Sequence, residues 1–155
     1  MIEIERKYLV SSDAYQKEAT SMTFIAQGFL STEPERTVRV RVKGERGFLT
    51  IKGLSNESGT TREEWEYEIP KIEAEQLLNL CPMVLEKNRF EVRVGKHCFE
   101  VDQFLGVNKG LVLAEIELES EDENFEKPNW LGREVTGDTR YYNSQLSISP
   151  FSEWN

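Results

Sequence analysis

The sequence predicts a mainly β fold, a mostly antiparallel sheet or a closed barrel with a few short helices. Three observations predict it. Apolar and charged residues alternate with period two over seven segments, glycine turns join two pairs of these segments, and helical periodicity is confined to brief stretches.

The first alternating run is Ile2-Glu3-Ile4-Glu5-Arg6-Lys7-Tyr8, and Val38-Arg39-Val40-Arg41-Val42-Lys43 repeats the pattern. Residues 48–52, 64–69, 87–94, 99–104 and 114–119 follow the same rule, and a weaker strand at 23–31 brings the expected total to eight. Gly44 to Gly47 reads as a hairpin turn, as does Gly95-Lys96-His97. Pro70 followed by Ile72, Leu77, Leu78 and Leu80 predicts a short amphipathic helix, with Pro82 beyond its end. Ser120-Glu121-Asp122-Glu123 has the form of a capping box and predicts a helix ending before Pro128. Residues 139–146 are expected to form a last turn or two.

A chain of 155 residues with 30% charged and 38% hydrophobic residues is expected to form one domain over 1–155, too apolar for disorder and too polar for a membrane protein. No apolar run reaches bilayer length, and the start MIEIERKYLV lacks the apolar core of a signal peptide. Cys81 and Cys98 have neither disulfide-framework nor metal spacing, so a reduced cytoplasm is expected and both are read as inert packing residues. Nineteen bases against 28 acids leave a formal charge of −9, which argues against a nucleic-acid binder. His97, the one histidine, is expected at the surface beside its turn. Trp130, Trp154 and the pair Tyr141-Tyr142 are expected to pack an outer cover.

Strand parity sorts side chains onto two faces. One carries Glu3, Glu5, Lys7, Arg39, Arg41, Lys52, Glu64, Glu66, Lys87, Arg89, Asp102, Glu115 and Glu117. The other carries residues such as Ile4, Tyr8, Val40, Trp65, Phe90, Val101 and Ile116. Parity alone leaves two readings open. In the plainer one the apolar face is the core and the charged face is wet. In the other, the charged face lines a barrel. That face is almost purely ionic, and its cations include arginines suited to bidentate phosphate contact. Its carboxylates would take Mg²⁺ or Mn²⁺, its bases phosphate oxygens, and helices near 72–80, 120–127 and 139–146 would cover the outside.

Glu3-Ile4-Glu5-Arg6-Lys7 forms an E-x-E-x-K strand whose two carboxylates and ammonium share one face. The same order of motifs continues through Gln27-Gly28-Phe29-Leu30, Arg39-Val40-Arg41, Thr50-Ile51-Lys52-Gly53, Glu64-Trp65-Glu66, Glu86-Lys87-Asn88-Arg89, Glu100-Val101-Asp102-Gln103-Phe104, Leu113-Ala114-Glu115-Ile116-Glu117, Arg133-Glu134-Val135-Thr136 and Arg140-Tyr141-Tyr142-Asn143. In this set the sequence resembles the CYTH family, also called triphosphate tunnel metalloenzymes, over nearly its whole length. The resemblance implies an eight-stranded antiparallel closed barrel with the charged face inside. It implies a divalent metal, Mg²⁺ or Mn²⁺, on Glu3, Glu5, Glu115 and Glu117, with Asp102 as a further acidic ligand. It implies triphosphate binding by Lys7, Arg39, Arg41, Lys52, Lys87, Arg89 and Arg140, with Glu64 and Glu66 as supporting carboxylates. Lys52 and Glu5 are the expected catalytic residues.

Among activities known in similar proteins, the short opening before Glu3 resembles compact members acting on inorganic tripolyphosphate. Thiamine or nucleoside triphosphate hydrolysis, a class IV adenylyl cyclase and a polyphosphate-binding module without turnover are the alternatives. A small triphosphate is the expected substrate, with no membrane partner and a homodimer as one possible assembly. Similar compact members often carry Tyr after Gln-Gly, where this chain has Phe29.

Overall fold

The computed structural model describes residues 1–154. Nine strands run β1 (Ile2–Val10), β2 (Ser21–Ser31), β3 (Thr37–Lys43), β4 (Arg46–Lys52), β5 (Thr61–Ile69), β6 (Val84–Val94), β7 (His97–Phe104), β8 (Val112–Glu117) and β9 (Leu131–Glu134). Three short helices are α1 (Tyr15–Glu18), α2 (Lys71–Leu78) and α3 (Asn143–Leu146). Neighbouring strands follow the order β5-β4-β3-β2-β6-β7-β8-β1, and β1 bonds back to β5, so the sheet closes into an eight-stranded antiparallel barrel. All eight expected strands are present, and the β3–β4 and β6–β7 hairpins turn where the glycines predict.

β1 is the seam. One of its edges pairs with β8 from Glu5 to Leu9. Its other edge is shared, with Ile2 to Ile4 on β5 and Tyr8 and Val10 on β9. β9 was not foreseen, because four residues are too few to display alternation. It continues the edge where β5 has ended, leaving fewer unpaired backbone groups on β1.

The apolar outer face of β1, β6, β7 and β8 is a core in its own right. Phe90, Val92, Phe99, Val101, Ala114 and Ile116 are buried there beneath Tyr15, Phe125 and Trp130. Trp130 meets Phe99 edge-on at 5.4 Å and Tyr15 at 6.1 Å between ring centroids. The expected helix near 120–127 is absent. The capping box does not form: Glu123 Oε1 accepts from the Glu119 amide at 2.6 Å, the Ser120 hydroxyl donates to Asp122, and only a turn results. Glu123 also bonds His97, and Phe125 is drawn across the sheet onto Tyr8, His97 and Phe99, which stretches the chain. His97 is therefore half-buried rather than a free surface residue. α2 lies over β3 and β4, as expected. Gly47 allows it: a Cβ there would stand 2.7 Å from the Ala74 Cβ.

The 139–146 segment does not cover the outside. It enters the barrel end, where Tyr141 and Leu146 pack on Phe29, Leu85, Phe104 and Leu113. Trp154 belongs to this plug as well, edge-on to Tyr141 and Phe151. Among the described residues no helix is long and apolar enough to cross a membrane.

Trp130→Ala removes a fully buried ring from the outer cover and is expected to cost about 3–5 kcal/mol. Trp65→Ala, at a ring 40% exposed on the outer face of β5, is expected to cost far less. Urea unfolding of both variants checks the ranking.

Candidate active site

Directly opposed residues of an antiparallel pair point to the same side of the sheet. The inward row of β1 is Glu3, Glu5, Lys7 and Leu9, with Glu5 opposite Glu117 and Lys7 opposite Glu115. Arg89 stands opposite Asp102, Glu115 opposite Glu100, and Lys52 opposite Glu64. Leu9, Leu85, Phe104 and Leu113 lie on these same rows but at the plugged end, so the interior runs from ionic to apolar along its axis.

A cavity open to solvent occupies the ionic part. Glu5, Lys7, Arg39, Lys52, Lys87, Arg89 and Glu115, all singled out from the sequence, line it. Arg41 sits outside that lining, 3.3 Å from Glu66, which gives Glu66 its supporting role. Burial, with Arg39 and Arg89 nearby, lowers the Arg41 guanidinium to about 10.

Asp102 anchors one wall. Arg89 donates to both of its oxygens at 2.8 and 2.9 Å, and the Lys87 ammonium lies 2.9 Å away. Burial would raise this carboxyl, but Arg89 and Lys87 together hold it well below the usual range. Burial brings Lys87 down to about 8 despite Asp102. Both oxygens of Asp102, expected as a metal ligand, bond cations here, and it positions the two bases.

Lys52 is held by Glu3 at 2.8 Å and Glu64 at 3.6 Å. Burial works against its charge, yet Glu5 and Glu3 outweigh it and raise its pKa. Lys7 and Arg39 differ. Lys7 donates to the Tyr141 carbonyl and Arg39 to the Thr50 hydroxyl, and among the described residues neither is ion-paired to a carboxylate.

Glu5 and Glu117 are like charges placed directly across from one another, which is destabilising without a counter-ion. Burial and the facing Glu115 push Glu5 well above the usual carboxylate range. Burial also raises Glu3, and burial with Glu3 raises Glu117. Glu115 is the exception: burial opposes ionisation, but Lys7, Arg89 and Lys87 bring it down to about 2. Among the described residues no three acidic, histidine or cysteine side chains form a ready-made metal cage. Hard oxygen donors raised by burial and by one another's charge nevertheless suit a small divalent cation. Mg²⁺ in particular takes one or two carboxylates and completes its shell with water and substrate phosphate.

Arg140 is not brought to the site. Its guanidinium bonds Asp138 and lies over Tyr141 and Trp154 with its side chain 61% exposed. Its neighbour Tyr142, expected in the outer cover, instead lines the cavity with its ring 5.2 Å from the Lys7 ammonium. Asn143 was missed: its Oδ1 accepts from Lys87 at 2.8 Å and from Gln27 at 2.6 Å, tying the plug to the binding wall. It stands in the Arg140-Tyr141-Tyr142-Asn143 motif and opens α3, a single turn too short for periodicity to mark it. Arg62 was also missed and also lines the cavity, although it shares the parity of Glu64 and Glu66. Gly59 and Gly137 meet at the rim, both with positive φ, and a Cβ on Gly59 would stand 2.4 Å from the Gly137 Cα.

The chain is similar to known proteins in sequence and fold. Residues 1–147 match the CYTH domain model. An inorganic triphosphatase of Acetivibrio thermocellus is 47% identical over 154 residues, 98% of this chain and 97% of that protein. An inorganic triphosphatase of Nitrosomonas europaea is 35% identical, over 96% and 99% of the two chains. The crystal structure of an inorganic triphosphatase superimposes with a TM-score of 0.66 at 33% identity, covering 94% of this chain and 97% of that one. A Hippeastrum protein described as a putative adenylyl cyclase with dominant triphosphatase activity shares the fold, with a TM-score of 0.62 at 16% identity over 76% and 80% of the chains. With its closed barrel, its inward ionic rows and this match over nearly its full length, the chain belongs to the CYTH domain family.

Proposed function

We propose that this chain is a metal-dependent inorganic triphosphatase, hydrolysing tripolyphosphate to pyrophosphate and phosphate. The observation that carries the reading is one cavity in which Lys7 and Arg39, unpaired by carboxylate, face Glu5 among mutually repelling acids. Cavity cations without a carboxylate partner call for an anion, and crowded carboxylates call for a cation. A triphosphate with a divalent metal supplies both. The two relatives named inorganic triphosphatase support the choice of substrate.

Lys7, Arg39, Lys87 and Arg89 bind phosphate oxygens and take up charge as it moves toward the leaving group. Glu3, Glu5, Glu115 and Glu117 would hold the divalent ion, Mg²⁺ or Mn²⁺, which when bound supplies further charge neutralisation. Water attacks the terminal phosphorus, the bridging P–O bond breaks, pyrophosphate leaves, and the water's surplus proton must depart. Lys52 is our candidate to receive that proton. It can do so only once its own proton is gone, and Glu3 and Glu5 now hold that proton in place. Engagement of Glu3 and Glu5 by a cation would loosen this hold, and Arg39 already opposes the Lys52 charge. Glu64 keeps the ammonium in the cavity. Phe29 lines the same cavity and brings no hydroxyl to it. The expected setting is the cytoplasm, where the thiols of Cys81 and Cys98 stay reduced.

Phosphate release from tripolyphosphate, with one metal added at a time, tests the reading. Chelation should abolish release and Mg²⁺ or Mn²⁺ restore it, and Glu5→Gln should lower kcat far more than Glu119→Gln, outside the site. Full activity in excess chelator would remove the metal assignment. Binding without release would leave a triphosphate-binding module.

Lys52→Ala should remove most of kcat, and Phe29→Tyr should raise kcat with KM little changed. A Lys52→Ala enzyme that keeps kcat while KM rises, beside a silent Phe29→Tyr, would reduce Lys52 to a phosphate ligand.

The Lys87 ammonium is charged below its pKa of about 8 and loses its proton above it. Affinity for tripolyphosphate, measured on the Lys52→Ala variant so that the base does not enter, should weaken as pH rises through about 8. Lys87→Met should bind weakly at every pH and show no such decline. An affinity flat to pH about 10 would contradict this assignment.

A further inference from the structure

Arg62 has no role in the chemistry above, yet it stands at a junction. It lines the main cavity and also a second groove adjoining it, with Thr37, Tyr142 and Ser144 common to both. Its Nε donates to the Gly53 carbonyl at 3.1 Å and its Nη2 to the Thr37 hydroxyl at 3.3 Å. These two neutral acceptors aim the guanidinium without cancelling its charge. Glu3, its partner across the strand pair, is taken by Lys52. Among the described residues Arg62 therefore joins Lys7 and Arg39 as a cavity-lining cation with no carboxylate in ion-pairing reach, whereas Lys52, Lys87 and Arg89 are all paired.

Beyond Arg62 the chemistry changes. Thr32, Pro34, Leu54, Ser55 and Gln145 shape the groove, and Arg62 is the one charged residue in its lining. A phosphate inside the cavity finds cations on several sides. A phosphate pushed one unit further would leave them and lie against neutral walls, losing charge-assisted contacts without replacement.

We infer that Arg62 is the end stop of the phosphate-binding row: it grips the outermost phosphate of tripolyphosphate, and the absence of positive charge beyond it sets the length the site accepts at three phosphates. This rests on the triphosphatase reading and deepens it. On this assignment pyrophosphate held by Lys87 and Arg89 leaves Arg62 unfilled, and tetrapolyphosphate overruns it.

Calorimetric binding and steady-state kinetics with pyrophosphate, tripolyphosphate and tetrapolyphosphate in Mg²⁺ test the inference on three proteins: wild type, Arg62→Gln and Leu54→Lys. Arg62→Gln should weaken tripolyphosphate binding about 10-fold or more while pyrophosphate binding moves less than about twofold, the scale of one charge-assisted contact. Leu54→Lys adds a cation at a groove residue that is 62% exposed, and should improve tetrapolyphosphate relative to tripolyphosphate several-fold. Equal weakening of both shorter anions by Arg62→Gln, or length preference unmoved by Leu54→Lys, would overturn the end-stop role while leaving the triphosphatase intact. If Arg62→Gln fails to fold, the Leu54→Lys preference decides. A wild type that neither binds nor cleaves tripolyphosphate would overturn both readings.

Discussion

The structure turns on one constraint: an ionic sheet face has been closed upon itself. Once β1 bonds to both β5 and β8, Lys87 and Asp102 become about as buried as any core leucine. Charges in that position must be neutralised by partners or await a ligand. Asp102, shared between Lys87 and Arg89, shows the first solution. Lys7, buried and among the described residues without a carboxylate in ion-pairing reach, shows the second.

The cost of that interior is offset outside it. The usual positions of core and surface are exchanged, so the large apolar cluster lies on the outer wall of β1, β6, β7 and β8. A short helix and the stretched chain around Phe125 and Trp130 are enough to bury it. On the opposite wall α2 covers less, and Trp65 and Tyr67 remain 40% and 56% exposed. Stability thus comes chiefly from one side of the barrel and from the plug, leaving the ionic interior to serve binding rather than packing.

The plug links these two halves. Tyr141 and Leu146 fill the apolar end, and Asn143 reaches from the same segment to Lys87 and Gln27. Tyr142 then lines the cavity beside Lys7. A single irregular segment both seals one end of the barrel and furnishes part of its binding wall. Phosphoryl transfer asks mainly for positioning and fixed charge, which side chains on eight hydrogen-bonded strands can provide without a nucleophilic residue.

Period two was enough to place every strand of the barrel and to sort Glu3, Glu5, Lys7 and their counterparts onto one face, because alternation is a local property of extended backbone. It could equally have exposed Arg62, which stands two residues before Glu64. Alternation relates residues to one another but carries no sign. The family motifs implied that the charged face is inward, and closure of β1 on β5 is what makes it so. Other outcomes depended wholly on contacts distant in sequence. Asp102 became a clamp for bases because Lys87 and Arg89 arrive across a hairpin and occupy its oxygens. Arg140 stayed outside because Asp138 and the rings of Tyr141 and Trp154 hold it there. The capping residues at 120–123 started a turn that never grew into a helix, since Phe125 gains more by crossing the sheet than a short acidic helix would gain in water. Local pattern determined which residues could act together. Burial, pairing and closure, all long-range, decided which of them are free to bind.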